Sequence, residues 1–100
     1  MGYHSPLIYA LFWLALSDMK DGNLSRLGAQ IRALRKEKGL SQEGFALKAD
    51  VDRSYIGSIE RGERNVSFLM LVKIASCLDC DVAHFTKEIP HGTKRQTETR

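Results

Sequence analysis

Cysteine is scarce: Cys77 and Cys80 are the two in 100 residues. A secreted disulfide scaffold of this size usually carries more, spread along the chain, so the expectation is a reducing cytoplasm. The spacing Cys77-x-x-Cys80 with His84 after it resembles half of a zinc site. Zinc needs four ligands and no second pair exists, and Cys77 falls on the apolar stripe of a helix, where a small core residue is expected. No metal and no cofactor is therefore anticipated. Histidine is equally sparse. His4, His84 and His91 are scattered, and no nucleophile–base pair or phosphate-binding loop accompanies them, which argues against an enzyme. A membrane-spanning run is missing too. The apolar stretch "LIYALFWLAL" from Leu7 to Leu16 is shorter than the roughly 20 residues a bilayer requires. It has no Lys or Arg before it and no small-residue cleavage site after it, unlike a secretory signal. No membrane partner and no small-molecule ligand is evident. Repeats are absent, and no strand-like alternation persists.

What is present suits one small domain. The net charge of +3 and the sequence pI of about 9.0 permit a polyanionic partner without demanding one. The placement of charge says more. Arg26, Arg32, Arg35, Lys36, Lys38, Lys48, Arg53, Arg61 and Arg64 crowd one part of the chain, whereas Asn65 to Ile89 holds only Lys73 and Lys87 against Asp79, Asp81 and Glu88. One end of the fold should be positive. Residues 1–23 are expected to form an N-terminal extension, 24–89 the functional domain, and 90–100 a disordered tail without apolar residues. "MKDGNLSRLGAQ" looks like a natural beginning, so residues 1–18 are read as an upstream extension with Met19 as the start. The competing reading is a short helix that packs on the domain or on a partner.

From Leu24 a helical period is clear. Leu24, Leu27, Ile31 and Leu34 recur at three- and four-residue steps. Helix 1 is expected at about 25–38, capped by Asn23 or Ser25 and stopped by Gly39. Ser41 caps helix 2, with Phe45, Ala46 and Ala49 inward. Asp52 caps helix 3, which runs from Arg53 to about Arg61, ends at Gly62 and buries Ile56 and Ile59. Gly57 inside it costs about 1 kcal/mol relative to Ala, and close packing is the commoner reason for such a residue. Ser67 caps helix 4, whose core stripe is Phe68, Leu71, Ile74, Ala75 and Leu78. Asp81 caps a short helix 5 with Val82 and Phe85. The fold class is all-α, five short helices.

Helices 2 and 3 share a turn so tight that they must cross at a large angle, the helix-turn-helix arrangement. The geometry needs a small residue where the helices cross (Ala46), a positive φ in the turn (Asp50), an apolar plug (Val51) and an apolar inner face on helix 3 (Ile56, Ile59). All four are present at consistent spacings. The outer face of helix 3 is left with Arg53, Ser54, Gly57, Ser58 and Arg61. Such side chains can read base edges in a major groove. Gln42, at the start of helix 2, can meet a phosphate together with the helix N-terminus, and Tyr55, Arg64 and Asn65 can add phosphate contacts. A solvated helix face would explain the polarity alone. It would not explain a turn built to hold helix 3 clear of the domain.

The stretch "LGAQIRALRKEKGLSQEGFALKADVDRSYIGSIERGERNVSFLMLVKIASCLDCDVAHF" resembles the lambda-repressor-like, Cro/C1-type helix-turn-helix domains. Its most telling pieces are "GLSQE", Ala46, "RSYIGSIERGERN" and the apolar helix 4. Within that family it looks most like the small stand-alone controller proteins of restriction–modification systems. The resemblance implies a homodimer that binds a near-palindromic operator on double-stranded DNA and regulates transcription. Gln42, Arg53, Ser54, Ser58 and Arg61 match the family's DNA-facing positions. Asp50 departs from the family's usual Gly and Cys77 from its usual Ala.

The dimer has a separate rationale. Helix 4 is apolar nearly all round, more than one core stripe can use. Leu69, Met70 and Val72 are the candidates for an exposed interface, unless helix 1 or the N-terminal segment covers them. The alternative function is an antitoxin or adaptor whose main partner is another protein.

Overall fold

The computed structural model describes residues 7–9 and 22–90. The extension expected for residues 1–18, the start at Met19 and the disordered tail expected over residues 90–100 lie, apart from helical Leu7, Ile8 and Tyr9 and from Pro90, outside the described residues. Among residues 22–90 four α-helices follow in order: α1 (Gly22–Glu37), α2 (Gln42–Ala49), α3 (Arg53–Glu60) and α4 (Phe68–Cys77), then a 3₁₀ turn at Val82–Phe85. The architecture is all-α, as the periodicity predicts. No helix among the described residues is long and apolar enough to cross a membrane.

The core forms where the apolar stripes converge. Ile31 of α1, Phe45 of α2, Ile56 and Ile59 of α3, Ile74 of α4, Leu78 and Phe85 are all fully buried. Burying each such side chain stabilises the fold by about 1.5–3 kcal/mol. Leu34, Val51, Leu71 and Cys77 pack against this cluster, and the Cys77 thiol donates to the Lys48 carbonyl oxygen at 3.5 Å.

Local chemistry sets the helix ends. The Ser41 hydroxyl accepts from the Gly44 N–H at 2.9 Å, and Ser67 accepts from the Met70 N–H at 3.1 Å, each satisfying an otherwise orphaned donor of a first turn. Asp50 closes α2 in the left-handed region at φ 59°. Its N–H reaches the Leu47 carbonyl and that of Val51 reaches the Ala46 carbonyl.

Several expectations are corrected. Helix α1 begins at Gly22, inside the presumed extension, so Asn23 and Ser25 lie in its first turn and not at the N-cap position. The Ser25 hydroxyl oxygen is enclosed without a hydrogen-bond partner, because the residue packs against Gly62. A Cβ on Gly62 would fall 2.7 Å from the Ser25 Cα, and its φ of +78° also favours glycine. Asp52 and Asp81 occupy N-cap positions with extended backbone, but neither side chain makes a capping bond. Helix 5 is a single 3₁₀ turn, a common form for so short a piece. Phe68 is 67% exposed, because it starts α4 beyond the core and Val66 fills that end. Arg35, counted among the positive surface charges, is buried.

Candidate nucleic-acid interface

Two contacts anchor α3. Its inner side buries Ile56 and Ile59, and its C-terminal end meets α1 backbone to backbone. A Cβ on Gly28 would lie 2.6 Å from the Glu60 carbonyl oxygen, so only glycine lets α1 approach that closely. Glu60 then turns its carboxylate inward to Arg35. Arg35 Nε and NH2 donate to its two oxygens at 2.6 and 3.0 Å, and Arg35 NH1 donates to the Leu40 carbonyl at 2.7 Å. Pairing and full hydrogen bonding are what make a buried charge tolerable.

The same buried carboxylate also holds a side chain of α2. Gln42 Nε2 donates to Glu60 Oε1 at 3.1 Å, so the first side chain of α2 is held by the last residue of α3. Gln42 also lies beside Gly57: a Cβ there would sit 3.7 Å from Gln42 Oε1 and 3.1 Å from Arg61 NH1. Gly57 therefore makes room for close packing, as expected, and the groups packed over it are the outer-face side chains of Gln42 and Arg61.

Arg61 is folded back over Gly57. Its Nε and NH2 donate to Glu63 Oε2 and Oε1, both at 3.1 Å. The hydrogen bond to Glu63 and the nearby negative charge raise the Arg61 pKa above its ordinary value.

A second cluster sits on the other flank. Ser58 is 8% exposed, which differs from the open outer-face placement expected of it. Its hydroxyl donates to the Tyr55 carbonyl at 2.7 Å and accepts from Arg64 Nε at 3.2 Å. The Arg64 guanidinium lies 5.3 Å from the centroid of the Tyr55 ring, within cation–π range. Ser58 thus holds Arg64 through its hydroxyl. Arg53, Ser54 and Asn65 are exposed at the two ends of this surface.

The structure brings Gln42 and Arg61 together over Gly57, and Tyr55, Ser58 and Arg64 into one cradle. Arg53 and Ser54 stand at the start of α3, one turn before Gly57 and Ser58. The supporting residues Arg35, Glu60 and Glu63 were not singled out from the sequence. Arg35 and Glu60 both sit at helical spacing from core residues, Arg35 from Ile31 and Glu60 from Ile56, and that was the available signal. On α4, Leu69 is 77% and Val72 41% exposed and Phe68 joins them, while Met70 is half-buried against the core. Cys77 and Cys80 are free thiols; burial raises the pKa of the latter.

A helix held on a tight turn with polar donors along its outer face is a shape that enters a major groove. The comparisons with known proteins agree. A family model described as "Helix-turn-helix" matches residues 31–85, more than half of the chain. Control protein C.MunI from Mycoplasma sp is 46% identical over 65 residues, which cover 64% of this chain and 88% of that protein. The transcriptional regulator SinR of Bacillus subtilis (strain 168) is 41% identical over 69 residues, covering 68% of this chain and 61% of SinR. The solved structure of the restriction–modification controller protein C.AhdI from Aeromonas hydrophila superposes with a TM-score of 0.60 at 45% identity, over 62% of this chain and 94% of that one.

Proposed function

The chain belongs to the helix-turn-helix family of DNA-binding transcription regulators, close to the restriction–modification controller proteins, and from that premise we propose that it acts as a homodimer on a near-palindromic operator, as a controller of such a system in the cytoplasm. The observation that supports this reading is the outer surface of α3 with Gln42 held beside it. Arg53 and Ser54, exposed at the start of α3, read base edges, and Arg61 reads a further base. Gln42, Tyr55, Arg64 and Asn65 hold phosphates, with Ser58 setting the direction of Arg64. Residues 24–89 carry this activity.

The exposed Phe68, Leu69 and Val72 support a two-fold interface on α4, with Met70 at its inner margin. A symmetric pair of recognition helices reads half-sites about 34–36 Å apart, one turn of DNA.

The test is selection from a randomised duplex pool by the purified chain, with sedimentation of the wild type and of Leu69→Glu. The expected result is a two-fold symmetric sequence, a wild-type mass of two chains, and a single chain for the variant. A pool that yields no preferred sequence, with a stoichiometric protein partner in the native extract, would move the antitoxin or adaptor reading ahead.

A further inference from the structure

Glu63 places a carboxylate on a surface read here as meeting a polyanion. That is unfavourable for DNA binding unless the carboxylate does something in return. Its backbone is fixed, since the Glu63 N–H donates to the Ser58 carbonyl oxygen at 2.9 Å. Its side chain takes Arg61 side-on, through Nε and NH2. The end-on edge of the guanidinium, one N–H on NH1 and the other on NH2, stays available. NH1 lies over Gly57, at the middle of the helix that faces the groove, and the missing side chain there lets the plane lie close to α3. A guanidinium needs two parallel donors at a fixed angle to grip O6 and N7 of a guanine. A free arginine on this surface would sample many directions and would find phosphates more often than a base.

Resting on the reading of α3 as the recognition helix, we propose that Glu63 is a specificity-determining positioning residue that buttresses Arg61 so that its end-on edge reads one guanine in each half-site. The pair stays intact on the operator. On random DNA the same carboxylate keeps Arg61 from roaming to phosphates and repels the backbone. Glu63 therefore acts in opposite directions on the two kinds of DNA, which simple charge cannot do.

The experiment uses the full chain, the duplex selected from the randomised pool and a shuffled duplex of equal length, with fluorescence anisotropy at several salt concentrations. Glu63→Gln is expected to weaken operator binding about five- to tenfold, within the range of one bidentate base contact. It should tighten shuffled-duplex binding about two- to threefold, with a salt slope steeper by about one ion. In an Arg61→Ala background, Glu63→Gln should no longer weaken the operator complex. Equal tightening on both duplexes would overturn the proposal and leave Glu63 a mere phosphate repellent; no change on either would also overturn it. Operator weakening that persists without Arg61 would overturn it as well. All three failures differ from a failure of the underlying reading, in which the pool itself yields no preferred sequence.

Discussion

Two arginine–carboxylate pairs share one geometry and do different work. Arg35–Glu60 and Arg61–Glu63 both join through Nε and NH2 to two carboxylate oxygens. The first pair has side-chain exposures of 7% and 2%, the second 60% and 55%. Burial makes the first pair an obligation of the fold. Neither partner can lose the other without leaving a charge out of water, which costs far more than an exposed pair is worth. Water already solvates the second pair, so its orientation is available for binding. The difference lies in the surroundings of the pair, not in its chemistry.

The largest effect should come from breaking the buried pair. Glu60→Leu strands the Arg35 guanidinium in the interior and is expected to cost about 3–5 kcal/mol in urea unfolding. Replacing both partners, Arg35→Met with Glu60→Leu, should recover most of that loss, because the desolvation penalty disappears with the charges. The double variant still lacks the acceptor that holds Gln42, so stability should return while operator affinity stays reduced. Simultaneous recovery of both would show that Gln42 needs no anchor.

The next effect sharpens the contrast on the exposed side. Arg53 is exposed, so Arg53→Ala should leave the unfolding midpoint in place. It should cost roughly 1–3 kcal/mol on the selected operator and relax the preference at one base position. Equal loss on operator and shuffled DNA would reduce Arg53 to a phosphate contact. The smallest effect is on stability at the exposed pair: Glu63→Gln should unfold at a midpoint indistinguishable from the wild type. A clear shift would show that this pair, too, supports the fold.

Much of the scaffold could be read from the residues. The spacing of Ala46, Asp50, Val51, Ile56 and Ile59 announced the helix-turn-helix, because each satisfies a local steric need. The caps at Ser41 and Ser67 followed from neighbouring residues alone. What escaped depends on contacts between distant parts of the chain. Arg35 and Glu60 each look like surface charges until α1 and α3 are packed together, and Gly28, which permits that packing, has no local signature. Ser58 is covered by Arg64 only once the loop after α3 folds back. Phe68 fits the core stripe by period, but the stripe extends past the end of the core. The residue types that can contact bases and phosphates stand in the sequence; the hydrogen bonds among them, Gln42 to Glu60 and Arg64 to Ser58, do not.

The central claim is that α3 presents these side chains to a specific DNA site. It is tested most directly by fluorescence anisotropy of the purified chain on the DNA upstream of its own gene and on a shuffled duplex, across a range of salt. The account predicts a preference of about a thousandfold or more together with a steep salt slope. Equal, weak binding to both duplexes would contradict it.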